Sequence, residues 1–155
     1  MKKLLILCLM LSVAVCTNAQ KKTVKQSKVN SKTIAERRVM GKHLLTLQWI
    51  SWDYYGSCNI TKEKDGTLKC VGEQLSKEAP GDYVRLDGTI EIVDKDHLKF
   101  TGVIAIRVNY NNNGQECLRE GTFDFVTKPG RKYWRLQQQD NPCEGIVDYV
   151  DIYYK

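Results

Sequence analysis

Two stretches of the chain alternate apolar and polar residues almost without exception. In Val84, Leu86, Gly88, Ile90, Ile92 and again in Leu98, Phe100, Gly102, Ile104, Ile106, Val108, Tyr110, every second residue is apolar or glycine. Arg85, Asp87, Glu91, Lys99, Thr101, Arg107 and Asn109 take the other face. A period of two marks a strand with one face buried. Turn-forming residues punctuate the pattern at Asp65-Gly66, Pro80-Gly81, Asp94-Lys95-Asp96, Asn113-Gly114 and Pro129-Gly130. Further strands over 44–52, 59–64, 68–74 and 146–154 bring the expected number to about eight.

Each turn implies a register. A two-residue Asn113-Gly114 turn sets Tyr110 against Cys117, Val108 against Arg119, Ile104 against Phe123 and Gly102 against Phe125. A two-residue Pro129-Gly130 turn sets Phe125 against Trp134 and Phe123 against Leu136. A three-residue Asp94-Lys95-Asp96 loop sets Ile90 against Phe100 and Gly88 against Gly102. In every hairpin the apolar faces agree. Facing glycines beside aromatic residues predict a strongly coiled sheet with rings laid over the glycines. Strands in simple succession are expected to close on themselves, because closure removes both edges. The fold class expected is all-β: an antiparallel up-and-down meander barrel of about eight strands over residues 43–155, with a two-sheet sandwich as the alternative.

Residues 1–19 read as a secretory signal peptide: Lys2-Lys3, an apolar run from Leu4 to Val15, and small residues at Thr17 and Ala19 before Gln20. The run is too short for a membrane-spanning helix, which needs about 20 apolar residues. Neither Cys8 after Leu7 nor Cys16 after Val15 fits a lipidation site. The mature protein is therefore expected to be secreted or periplasmic.

Residues 20–42 form a basic leader that is expected to be flexible apart from a short helix. Thr33-Ile34-Ala35-Glu36 has the form of a capping box, and Gly41 is placed to end the helix. Such a helix is marginal alone and would need to dock, for instance across an open barrel end. The formal charge of +6 misleads, because the leader holds eight basic residues and one acid, leaving fourteen basic and seventeen acidic residues from His43 onward. A near-neutral domain argues against nucleic acid as a partner.

Export leaves Cys58, Cys70, Cys117 and Cys143 where thiols oxidise. Four cysteines allow three pairings. Cys143, after the Asp140-Asn141-Pro142 loop, can reach the strand bearing Cys117, so that pair is favoured and Cys58 with Cys70 follows by elimination. With Gly66 turning the 64–66 loop, Ile60 faces Cys70 and Cys58 faces Gly72. The two cysteines become diagonal neighbours about 7–8 Å apart, too far for a disulfide, whose β-carbons lie about 4 Å apart, unless the strand bulges. No cysteine pair has metal-site spacing and only His43 and His97 could assist, so neither metal nor cofactor is expected.

The exported leader, Leu47-Gln48-Trp49-Ile50 on the first strand, and eight meander strands with the chain ending on the last resemble the lipocalin and avidin type of small barrel. The segments Tyr133-Trp134-Arg135-Leu136 and Asp148-Tyr149-Val150-Asp151-Ile152-Tyr153 also resemble small exported bacterial proteins. The resemblance implies a barrel that binds a ligand and transfers no site residues.

No nucleophile, general base or phosphate loop is legible, so the chain reads as non-catalytic. Asp148 and Asp151, three apart on a strand, point to opposite faces and are not expected to share a cation. Arg119 alone breaks the pattern. Its register turns it inward, where an unpaired guanidinium is costly. Either it anchors a small anionic or apolar ligand near one mouth, with Tyr110 and Trp134 as the wall, or it pairs with an internal carboxylate such as Glu73 or reaches water. The competing functional classes are a protein-binding or inhibitor module using the outward Tyr133, Tyr149 and Tyr153, and an envelope structural protein.

Overall fold

The computed structural model describes residues 33–154. The expected signal peptide and most of the basic leader lie outside the described residues. The chain divides into two units, Met1–Ala35 and Glu36–Lys155. A short helix, α1, covers residues 33–39. Eight antiparallel strands then close into a barrel in chain order: β1 Gly41–Leu47, β2 Gly56–Lys62, β3 Leu68–Leu75, β4 Tyr83–Ile92, β5 His97–Arg107, β6 Cys117–Val126, β7 Tyr133–Leu136 and β8 Val150–Tyr153. The up-and-down barrel is therefore the architecture, and the sandwich is not. The first strand runs from Gly41, opposite Ile60, to Leu47, earlier than the expected 44–52, and Gln48, Trp49 and Ile50 lie in the turn that follows it.

Inward positions carry the apolar set. Leu45, Leu47, Ile60, Leu86, Leu98, Phe100, Ile104, Phe125, Trp134, Leu136 and Ile152 are all buried. Phe100 tilts against Phe123 at 6.3 Å between ring centroids and meets Phe125 edge-on at 6.2 Å. Glycine makes room for these rings: a β-carbon placed on Gly88 would lie 2.4 Å from the Thr101 carbonyl oxygen and 2.7 Å from Phe100 Cζ. The row across the sheet is Cys70, Gly88, Gly102, Gly121, so the ring lies over the glycines as anticipated, but with different neighbours.

Two registers agree with the turn reading and two differ. Ile60 faces Cys70 in β2–β3, and Gly88 faces Gly102 in β4–β5, as expected. In β5–β6, however, Cys117 faces Ile106 rather than Tyr110, and Arg119 faces Ile104 rather than Val108. The connection is no two-residue turn. Val108 folds into the core, the Asn109 amide donates to Asp82 Oδ1 at 2.9 Å, and a 3-10 turn spans Asn112–Gly114. In β6–β7, Phe125 faces Leu136 rather than Trp134, because the Lys128–Arg131 turn and its flanks lengthen the Pro129-Gly130 connection. Both slips are by an even number of residues, so every side chain that remains in the β5–β6 and β6–β7 ladders keeps its predicted face.

The barrel is least regular beside β6. Only Phe125 with Leu136 and Val126 with Arg135 form its ladder to β7. Farther along, residues 137–143 are tied to β6 by the Gln137 amide donating to the Asp124 carbonyl at 2.8 Å, by Gln138 side-chain bonds to Asp124, and by the Cys117–Cys143 disulfide. That bridge is the one favoured from sequence. The second expected bridge is not formed: Cys58 and Cys70 are buried thiols with their sulfurs 3.3 Å apart. They touch as diagonal neighbours without bonding, and no bulge brings them closer.

From Glu36 onward the helix closes the barrel end at which β1 begins. Val39 is buried in the core, Arg38 lies over the rings of Tyr154 at 3.7 Å and Trp134 at 5.3 Å, and its Nη1 donates to the Lys95 carbonyl at 2.9 Å. The opposite end is tied by Gln74, whose Oε1 accepts the Leu47 amide at 2.7 Å and whose Nε2 donates to the Tyr54 carbonyl at 3.0 Å. No described helix is long and apolar enough to cross a membrane.

Candidate functional site

Arg119 lies inside the barrel near the end at which β6 begins, where its inward register puts it. It is buried, and its counter-charge is Asp148, with Nη1 and Oδ2 3.6 Å apart. Asp148 Oδ1 accepts the Trp49 indole N–H at 3.1 Å, and Arg119 Nη2 donates to the Gln138 carbonyl. The guanidinium also lies 5.4 Å from the Phe123 ring centroid. Arg119 Nη1 and Asp148 Oδ2 make no hydrogen bond among the described residues. Burial lowers the Arg119 pKa and raises that of Asp148, against the attraction between the two. Of the two readings of Arg119, the internal carboxylate is the one present. It is Asp148 and not Glu73, which points outward and pairs with Arg85 at 2.6 Å.

The other expected wall residues are not brought to Arg119. Tyr110, 62% exposed, follows β5 in the connecting loop and donates its hydroxyl to the Trp49 carbonyl at 2.6 Å. Its displacement follows from the four-residue register slip, which ends the β5–β6 ladder at Ile106, opposite Cys117. Trp134 is buried near the start of β7, at the other end of the barrel, beside His43 at 5.9 Å and Tyr154 at 4.4 Å between ring centroids.

A second cluster lies on the outer wall. Tyr133 faces Tyr153 across β7–β8, with ring centroids 5.1 Å apart, and Tyr55 meets Tyr153 edge-on at 5.3 Å. The Arg135 guanidinium stands 5.1 Å from the Tyr133 ring and 4.3 Å from the Tyr149 ring, and Arg131 is 5.5 Å from Tyr133. Beneath them Asp151, fully buried on an outward position, takes two hydrogen bonds from Arg135. Burial pushes the Asp151 carboxyl up, partly offset by those bonds, while the same bonds raise the Arg135 pKa. The outward parity of Tyr133, Tyr149 and Tyr153 was legible in sequence. Tyr55 and the two arginines were not, since they reach the cluster from a loop, a turn and a neighbouring strand position. Asp148 and Asp151 do face opposite sides, each with its own arginine.

His97, Lys99 and Gln138 converge on Asp124, at 2.7, 3.2 and 2.9 Å, and hold its carboxyl down at about 2, the His97 bond contributing most. It is a partly exposed polar group on the outer face. Among the described residues, no three of His, Cys, Asp and Glu are grouped to hold a metal ion.

No solved structure matches the chain. An uncharacterized protein, PM1083, of Pasteurella multocida is 44% identical over 119 residues, covering 77% of this chain and 75% of that protein. The model of the PM1083 family matches residues 23–154, almost the whole barrel and its leader, and the chain belongs to that family.

Proposed function

We propose that the chain is an exported, non-catalytic protein-binding module that takes an acidic segment of a partner on the outer face of β7, β8 and β1. The observation that carries this reading is the cluster of Tyr55, Tyr133, Tyr149 and Tyr153 with Arg131 and Arg135. Tyrosine and arginine dominate the energetics of protein interfaces, because they bring large area at little rotamer cost. Arg135 is already engaged by Asp151. Arg131 and Lys42 have no ion pair among the described residues. Lys42 is exposed on the outward row of β1 that includes Leu44, the residue facing Tyr153. The uncompensated charge on this face is therefore positive, which favours an acidic partner. Export draws its support from the signal-like residues 1–19 and from the Cys117–Cys143 bridge.

A ligand held inside the barrel, as in lipocalins and avidins, has less support. Phe100, Phe125, Trp134 and Ile104 are fully buried on inward positions, and Asp148 already faces the one inward guanidinium named as an anchor.

The test is calorimetric titration of the barrel with an Asp/Glu-rich peptide and with its Asn/Gln counterpart. The acidic peptide is expected to bind the more tightly, and Tyr133→Ala or Tyr153→Ala to weaken it about tenfold or more. Equal binding of both peptides, or full affinity in both tyrosine variants, overturns the reading.

A further inference from the structure

The four cysteines of the barrel form two chemically different pairs. Cys117 and Cys143 are bonded. Cys58 and Cys70 lie on adjacent strands, each opposite a glycine: Cys58 faces Gly72 across β2–β3, and Cys70 faces Gly88 across β3–β4. The missing side chain at Gly72 leaves the Cys58 side of this pair uncrowded. A β-carbon on Gly72 would stand 3.1 Å from Cys58 Cβ and 3.2 Å from Leu45 Cδ2, so only glycine keeps that side open without displacing them. The result is a sulfur–sulfur contact of 3.3 Å between residues whose diagonal placement normally keeps side chains about 7 Å apart.

We propose that Cys58 and Cys70 are a redox-modification site, a facing dithiol that a disulfide donor oxidises to a second bridge joining β2 to β3. In the first step one protein thiolate attacks a donor sulfur. A mixed disulfide forms, and the donor's other sulfur leaves as a thiolate. The second protein thiolate then attacks the protein sulfur of the mixed disulfide, forming the Cys58–Cys70 bond and releasing the remaining donor sulfur. The protons of the two protein thiols end on the two donor thiols, and the donor takes up two electrons.

The same geometry protects the pair in the closed barrel. Both sulfurs are fully buried, and the hydrogen bond with Cys58, together with burial, pushes the Cys70 thiol well up. The donor can reach a sulfur only when the β2–β3 wall opens, whereas the second step needs little further movement. Oxidation is thus limited by opening, and the mixed disulfide is short-lived.

The test uses the full mature chain with Cys117–Cys143 intact and Cys58 and Cys70 reduced, incubated with oxidised glutathione in buffer and in urea below the unfolding transition. Samples are quenched by alkylation and peptide-mapped. A loss of two hydrogens, a Cys58–Cys70 cross-linked peptide, no lasting glutathione adduct and faster closure in urea are expected. In Cys58→Ser the glutathione adduct on Cys70 is expected to accumulate instead. Stable adducts on the wild-type pair overturn the proposal. So does recovery of both cysteines as alkylated thiols after the urea incubation.

Discussion

Arg135 holds Asp151 through two parallel hydrogen bonds, Nε to Oδ1 at 2.8 Å and Nη2 to Oδ2 at 2.7 Å, on the outer wall of the barrel. A carboxylate on that side would ordinarily stand in water. Here the tyrosines around Arg135 exclude it, so the pair is both buried and outside the core. Arg135→Ala leaves Asp151 without its partner and is expected to cost about 3 kcal/mol. Arg135→Lys keeps the charge but not the planar fork and should fall between that variant and the parent. Urea unfolding with intrinsic fluorescence checks both, and equal stability of all three proteins contradicts the account.

The inner pair makes a pH-dependent prediction. Burial raises the Asp148 pKa above its unfolded value, and Arg119 opposes that shift. In Arg119→Met the opposition is gone, so the folded state binds the Asp148 proton still more strongly. A raised folded pKa places the stabilising contribution below the unfolded pKa, near 4, and removes it as pH rises through the folded value. The variant should be destabilised by about 3 kcal/mol at pH 7 and should recover towards the parent as pH falls to about 4. A deficit independent of pH rejects the mechanism.

Removing the Cys117–Cys143 bridge should open the seam beside β6, where ladder pairs are fewest. The bridge spans 26 residues, which corresponds to about 3–4 kcal/mol of loop-closure stabilisation. The double variant Cys117→Ala/Cys143→Ala is expected to lose that amount. Hydrogen exchange should quicken first at Leu118, Glu120 and Thr122. Uniform acceleration around the whole barrel contradicts a local seam.

Gly88→Ala tests the ring-over-glycine packing. Its β-carbon would fall against the backbone oxygen of Thr101 as well as the Phe100 ring, and the backbone cannot swing away as a side chain can. A loss of about 3 kcal/mol is expected, from the urea midpoint. A variant as stable as the parent removes the close approach from the account of the fold.

Which side of the wall a strand residue faces was decided by the sequence alone, and closure was the expectation that the structure then bore out over the sandwich. Alternation is a local property: successive side chains on a strand point to opposite faces, so Arg119 could be placed inside and Tyr133, Tyr149 and Tyr153 outside without any partner strand. The favoured Cys117–Cys143 bridge also followed from loop placement. The registers of β5–β6 and β6–β7 did not, because the length of a connection depends on contacts far along the chain. Asp82 captures the Asn109 amide and Trp49 captures the Tyr110 hydroxyl, and so the turn expected at Asn113-Gly114 widens and Tyr110 leaves the wall. For the same reason only the tertiary structure joined Arg119 to Asp148, gathered Tyr55, Arg131 and Arg135 around the outer tyrosines, and brought two diagonal thiols into contact over glycine. Parity is carried by each strand, but proximity is set by the closed barrel.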